Sequence, residues 1–529
     1  MANPTVKDTP RRDRSDPPFC KAELASDFGL CLLAMVVLYW RWVGYQGHDD
    51  ASYAAAALTW VQHFPSLGND HWALRYPLVL PIAGAIALFG PSVAALTTVN
   101  LSTFVGYLVV SYLAVRHWFG RTAAILLTVI GILLPEFPVQ ATYANPDLPE
   151  MAFVIFSFWT LMLARERGGG WKLMLLSGFL AGIGFLTRET TALLVIFYGL
   201  LFLFRPAMPR WQYFLIGLGF TVVIAAQVGY LTVRTGDPLY RFNLDAHHDT
   251  VNRSTKEIAA ERAGRALDSE GVLATNPIVA PLAAIFISQK FGLLFFLAIP
   301  SCVVLLADRR LTVQQRSVVA CAGLGALVAF LFVALNVTIL YVVPRYFIVP
   351  AALAAVPTAV LGARLLNRGG FRMVVAILAG TGFVASSVGL LYLEDTHPMR
   401  AEQQIVRFIA TSNAPVHVDP ETARRLRYLL IARGLTNRMT ISPPGAGSLV
   451  ATEDGVVQAC LKIPHCQIYD SMEKFSAGPG WTVLTRYDPP TRAIATVLRY
   501  LRLDTLIPPD ILKKIDQPGT TAIIYRVAG

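Results

Sequence analysis

Residues 205–237 read RPAMPRWQYFLIGLGFTVVIAAQVGYLTVRTGD. Arg205 and Arg210 stand ahead of an uncharged apolar run over 211–233, and Arg234 and Asp237 follow it. At about 1.5 Å per residue, such a run crosses the roughly 30 Å hydrocarbon core of a bilayer as a helix. Working outward, the same character recurs at 24–43, 91–115, 122–140, 149–164, 173–187, 190–204, 282–306, 317–340, 346–363 and 371–393. The sequence therefore predicts an all-α polytopic membrane protein with about eleven transmembrane helices. Pro135 and Pro138 break the outer end of the run over 122–140.

Composition agrees. Of 529 residues, 54% are hydrophobic and 15% charged, where a soluble chain carries about 25% charged residues. A soluble, disordered or fibrous chain is excluded. The formal charge of +11 does not signal nucleic acid, because the basic residues fall in short clusters between apolar runs. Residues 394–529 hold 29 charged residues in 136 positions, and 1–393 hold the other 50. This contrast divides the chain into a Pro-rich basic tail (1–23), read as cytoplasmic and disordered, a membrane part (24–393) and a soluble α/β or α+β domain (394–529).

The run 76–90 is short for a span and carries Pro77 and Pro81, so it reads as a helix at the outer interface. With 76–90 outside the count of spans, the inner turns 116–121, 165–172, 205–210, 307–316 and 364–372 collect thirteen Lys/Arg against two acids. By the positive-inside bias they face the cytoplasm. The outer segments are then 44–90, 141–149, 187–190, 234–281, 341–345 and the domain from 394. This predicts a multi-pass protein of the inner (plasma) membrane with its soluble domain extracytoplasmic.

Ionisable residues at membrane boundaries are costly and mark function. Five outer places carry them. GHDDASY (47–53) sets Asp49 and Asp50 ahead of a helical stretch, with Tyr53 three residues on. One carboxylate is expected at the N-cap, and the pair either serves capping alone or leaves the other Asp as a base or metal ligand. DHWALRYP (70–77) places His71 and Arg75 before the interfacial helix. Arg75 either grips a lipid phosphate or anchors at the headgroups with Trp72 and Tyr76. TYANPDLPE (142–150) holds Tyr143 and Asp147, either a plain Asn-Pro-Asp turn or a second acid. LTRETT (186–191) sets Arg188 and Glu189 in a connection too short to solvate them, as a local ion pair or an anion site. VPRYFIVP (343–350) opens a late helix with Arg345 and Tyr346, where Arg345 either snorkels or binds an anion.

All five share one side under the charge-derived topology. Carboxylates beside arginines suit transfer of a sugar from a lipid phosphate. A carboxylate takes the proton of an acceptor hydroxyl, and arginines stabilise the departing phosphate. That leaving group, with a second pKa of about 6, needs no general acid.

In this order the motifs resemble those of the GT-C glycosyltransferases that use polyprenyl-phosphate sugars, in particular the bacterial aminoarabinose transferase and protein O-mannosyltransferase branch. The resemblance covers roughly residues 24–390. It rests on Asp49-Asp50 followed by Tyr53, a helix ending in Leu-Phe-Gly (88–90), Tyr143-x-x-x-Asp147, Arg188 after the fifth span and Arg345-Tyr346-x-x-x-Pro350. The resemblance implies that Asp49 is the base, Asp147 the second acidic position, and Arg188 and Arg345 phosphate ligands. It also implies transfer with inversion from a polyprenyl-phosphate donor on the outer leaflet to an envelope lipid, glycan or protein. Two positions depart. Asp50 stands where many members have Glu, and Arg75-Tyr76-Pro77 replaces the Glu-Lys-Pro of the aminoarabinose branch.

Cys460 and Cys466 in the outer domain are candidates for a disulfide in an oxidising compartment. LDAHHDT (244–250) could hold a divalent metal, but a loop closing over the site is the preferred reading, and no cofactor is expected. The competing functions are a transporter or flippase of a lipid-linked sugar and a membrane-anchored scaffold. Paired inverted halves, which mark many transporters, are not evident.

Overall fold

Long apolar stretches must satisfy their backbone internally in lipid, so they fold as helices that pack on one another. The computed structural model of the chain describes residues 21–246, 279–288, 290–336, 343–453, 480–489, 493–507, 509–516 and 520–528. The membrane part opens with α1 (Lys21–Trp40), α2 (Asp49–Gln62), α3 (Tyr76–Phe89), α4 (Val93–Phe119), α5 (Arg121–Leu133) and α6 (Glu136–Ala141). It continues with α7 (Asp147–Glu166), α8 (Trp171–Thr187), α9 (Leu193–Phe204), α10 (Tyr213–Thr235) and α11 (Tyr240–Ala246). Beyond residue 278 come α12 (Val279–Phe286), α13 (Leu294–Ala307), α14 (Val313–Leu335), α15 (Ile348–Arg368) and α16 (Gly370–Leu393). Among the described residues, six helices are long and apolar enough to cross a membrane, and shorter apolar helices accompany them. The chain is a largely helical, multi-span membrane protein.

α7 and α15 form the centre, with most of their residues buried. α16 buries only Phe383, Ser387 and Leu391 and turns the rest outward. Small residues set the closest approach. A Cβ at Gly178 in α8 would run into the Ile216 carbonyl of α10, and one at Gly219 into the Leu175 carbonyl, the small-residue packing that membrane helices favour. The basic turns meet at one end of the bundle. There Asp308 lies 2.9 Å from both Arg364 and Arg368, and Arg165 donates to the Arg205 carbonyl at 2.8 Å.

Two expected spans are broken. The run over 122–140 stops at Leu133 and restarts as the short α6, because Pro135 has no N–H to extend the helix. The run over 282–306 is not one helix either. It parts between Phe286 and Leu294, where Gly292 takes a positive φ of 50°. A lysine read over in the apolar run is the physical reason. Lys290 points its ammonium at Glu394 (2.5 Å) and Glu136 (3.5 Å), and Arg41 donates to the Glu394 carbonyl. A buried amine must be paired, and this pairing fastens the end of α16 to α1, α6 and the α12–α13 break.

The C-terminal region carries β1 (Val416–His417), β2 (Met439–Thr440), β3 (Leu449–Glu453), β4 (Thr482–Tyr487) and β5 (Ala522–Arg526), in the order β2-β1-β3-β5-β4. β1 runs parallel to β2 and β3, and β5 antiparallel to β3 and β4. The sheet is therefore mixed, within the α/β or α+β expectation. α17 (Arg400–Thr411) buries Ala401, Ile405, Val406 and Ile409 with Val416, Ala451 and Ile524 of the sheet. Asp419 caps α18 (Pro420–Ile431) by accepting the Thr422 N–H at 2.9 Å. Arg425 on α18 lies between buried Glu402 and Glu453.

This domain sits on the loop between α1 and α2. Tyr45 Oη donates to the Arg425 carbonyl (3.1 Å), Arg424 donates to the carbonyls of His48 (3.2 Å) and Gly47 (3.4 Å), and Tyr428 Oη donates to the Ser92 carbonyl (2.8 Å). Gly47 has φ +71°, and a Cβ there would lie 2.8 Å from Met399 Sδ and 3.1 Å from Arg425 Cβ. Gly47→Ala should therefore lower stability by about 1–3 kcal/mol through backbone strain and contact with the domain. The thermal unfolding midpoint of the purified protein reads this, and an unchanged midpoint would mean that the loop and domain separate freely.

Candidate active site

The site grows from the first turn of α2. Its N-cap is His48, not an aspartate, so Asp49 and Asp50 are the first two helical residues. The expected aspartate N-cap is thereby corrected. Asp50 turns backward instead, accepting the N–H groups of Gln46 (2.6 Å) and His48 (2.8 Å). Those loop amides fix the segment that the C-terminal domain covers. Asp50 is buried, while the Asp49 side chain is 43% exposed and faces Arg345 at 3.4 Å.

Burial pushes the Asp50 carboxyl up to about 6, against the pull of the backbone N–H groups of Gln46, His48 and Ala51. The folded value lies above the ordinary 3.8, so the folded state holds the proton more tightly. Stability from this group is present at low pH and is lost as pH rises from about 4 through about 6. Unfolding midpoints of the native chain and Asp50→Asn, followed over that range, should diverge by this slope. Parallel profiles would contradict it.

Arg345 lies in the 3-10 turn Pro344–Phe347 that starts α15. Its Nε is 3.7 Å from Asp147, the first residue of α7. Asp147, nearly fully buried, also pairs with Arg188. Arg188 lies 4.1 Å over the Tyr346 ring, and Arg345 sits 5.8 Å from it. The Tyr143 hydroxyl lies within electrostatic reach of Arg345, and the strand-like bridge of Tyr143 to Gly44 joins this turn to the α1–α2 loop. Across the cluster, Arg75 bonds Tyr53 Oη and stands 3.8 Å from Glu189.

The structure thus brings Asp49, Asp147, Arg188, Arg345, Tyr143 and Tyr346 into one chain of contacts. Tyr53, Arg75 and Glu189 form a second chain beside it. His71 lies in the turn before α3 with its ring 3.7 Å from that of Trp72. Cys460, Cys466, His247, His248 and Asp249 lie outside the described residues. Among those described, no group of three or more His, Cys, Asp or Glu side chains could hold a metal ion.

Two participants escaped the sequence reading. Glu150 lies one helical turn after Asp147 on the same face, 4.0 Å from Arg188 Nε, and accepts from Thr190 (2.6 Å) and Thr191 (3.1 Å). The spacing Asp147-x-x-Glu150 at the start of a membrane helix was the available signal. Arg241 on α11 pairs with Glu189, donates to Gln227 Oε1 at 2.8 Å and stands 3.7 Å from Asp245. Its spacing of four from Asp245 hinted only at a helix pair.

Residues 76–230 match the family model described as dolichyl-phosphate-mannose-protein mannosyltransferase. The structure of ArnT from Cupriavidus metallidurans bound to undecaprenyl phosphate is similar at TM-score 0.53 and 15% identity, covering 83% of this chain and 94% of that one. The apo oligosaccharyltransferase of Archaeoglobus fulgidus is similar at TM-score 0.56 and 12% identity, covering 95% and 88%. Its archaeal AglB form, in complex with an inhibitory peptide and a dolichol-phosphate, is similar at TM-score 0.53 and 12% identity, covering 96% and 89%. The fold is GT-C. No curated protein matches the sequence. The matched stretch of the GT-C bundle carries Tyr143, Asp147, Glu150, Arg188 and Glu189, while Asp49, Arg75 and Arg345 lie outside it and reach the cluster through the fold.

Proposed function

We propose that the protein is a membrane glycosyltransferase that moves a sugar from a polyprenyl-phosphate donor to an acceptor hydroxyl on the outer face, with inversion. The observation that carries this reading is the placement of Asp49. It is a partly exposed carboxylate 3.4 Å from Arg345, and Arg345 is linked through Asp147 to Arg188. Asp49 accepts the proton of the acceptor hydroxyl as its oxygen bonds to the anomeric carbon. The bond from that carbon to the phosphate oxygen breaks, and its electron pair leaves with the polyprenyl phosphate. Arg345 and Arg188 stabilise the growing charge. Asp147 and Glu150 hold the two guanidiniums in place, and Asp50 holds the loop.

An apolar groove supports a lipid donor. It encloses about 270 Å³ and is lined by Thr191, Leu194, Tyr198 and Phe202 together with Ile216 and Phe220. Thr191 donates to Glu150, so the groove starts at the charged cluster and leads away between membrane helices. A polyisoprenyl tail suits such a lining. The likeness to ArnT bound to undecaprenyl phosphate and to AglB with dolichol-phosphate points the same way. The basic turns at the opposite end of the bundle favour a cytoplasmic placement for that end, which puts the cluster outside.

The test is release of polyprenyl phosphate and labelling of an envelope acceptor fraction by purified protein given a radiolabelled polyprenyl-phosphate sugar. Movement of intact donor across proteoliposomes without cleavage would overturn the reading in favour of a flippase.

A further inference from the structure

Two short helices of the soluble domain, α19 (Ala493–Tyr500) and α20 (Pro509–Asp516), lie between β4 and β5 in sequence. The segment from 494 to 506 is unusual for a soluble surface. Val497, Leu501 and Leu503 are 52%, 55% and 40% exposed, and Tyr500 and Leu506 are 87% and 79% exposed. Ile494, Val497 and Leu501 fall at helical spacing, so they share one side of α19. Ala495, on another side, is fully buried in the domain. A contiguous outward apolar patch of this kind marks a surface that meets another apolar phase.

The position of the patch identifies that phase. Ile494 and Ile515 complete the wall of an apolar pocket whose other side is Gly389, Leu390 and Leu393 of α16 with Phe296 of α13. These are the last turns of a helix long and apolar enough to cross the membrane. The outward face of α16 continues with Val384 and Val388, and Phe296 is 53% exposed. The hairpin therefore sits at the depth where the spanning helices leave the hydrocarbon, and its apolar stripe is continuous with their lipid-facing surface. Cations stand at the polar margin. Arg499 pairs with Asp516 across the hairpin, and Arg502 is exposed. Apolar side chains flanked by arginines are the pattern of a helix lying in the headgroup layer.

We infer that residues 494–506 form a monotopic membrane-binding element, which lays the soluble domain on the phospholipid leaflet beside the ends of α13 and α16. The partner is the glycerophospholipid surface, with acyl chains against Leu501 and Leu506 and headgroup phosphates near Arg502. The inference is independent of the proposed chemistry, since it needs only the spanning character of α16.

Site-specific photocrosslinking of the full chain in phosphatidylethanolamine–phosphatidylglycerol nanodiscs tests it. p-Benzoylphenylalanine is placed at Leu501, at Leu506, at Val388 on lipid-facing α16, and at Ser442, exposed beyond β2 at the opposite edge of the sheet. The expected result is a light-dependent mass gain of one phospholipid at Leu501 and Leu506, in yield comparable with Val388, and none at Ser442. Two results would overturn the inference. One is Leu501 and Leu506 behaving like Ser442 while Val388 is labelled. The other is crosslinking of those positions to a second copy of the chain in place of lipid.

Discussion

Asp49→Asn should lower kcat for sugar transfer by about 10²–10⁴-fold, the usual share of a general base, with donor KM nearly unchanged. The substitution keeps shape and removes only proton affinity. Structural damage is not expected, because the pair with Arg345 is at 3.4 Å and both side chains are about a third or more exposed. Exposed pairs of this kind add little to stability. The loop conformation rests on Asp50, which takes the Gln46 and His48 amides. The two aspartates therefore separate experimentally. Loss at Asp49 falls in the chemical step, whereas loss at Asp50 shows in unfolding as well. Initial rates with a radiolabelled donor measure it, and an Asp49→Asn variant turning over near the native rate would remove Asp49 from the role of base.

Arg345→Ala should be the second large effect, about 10²–10³-fold in kcat, the scale for removing one donor aimed at a developing negative charge. Arg345 contacts both Asp49 and Asp147. Its loss leaves Asp147 paired with Arg188, so the bundle survives. Arg345→Lys restores the charge without the planar fork that meets two oxygens at once, and an intermediate rate is expected. Full activity in Arg345→Ala would place phosphate binding elsewhere, with Arg75 and Arg241 as the next candidates.

Much of this arrangement was legible from residue types alone. Apolar runs and basic turns gave the bundle, because lipid leaves a helix no other way to satisfy its backbone. The ionisable residues at helix ends pointed to the cluster, since nothing else repays their placement at a membrane boundary. What stayed hidden were partners distant in sequence. Arg345 and Asp49 are 296 positions apart, and no local pattern couples them. Lys290 is the instructive failure. One lysine in an apolar run looks minor in the sequence, yet its ammonium needs Glu136 and Glu394, and meeting that need splits the run into α12 and α13. The N-cap expectation failed for a related reason. A carboxylate at a helix start has two sets of amides within reach, and here the preceding loop took Asp50.

The seating of α18 on the Gly44–Asp50 loop bears on how such proteins can be recombined. Arg424, Arg425, Tyr428 and Met399 meet backbone groups and a glycine, not side chains of the charged cluster. The C-terminal domain is thus a mould for the loop that leads into Asp49. A chimaera that swaps in the C-terminal domain of a homologue would have to import that homologue's α1–α2 connection as well. The two segments, more than three hundred positions apart, form one hereditary unit.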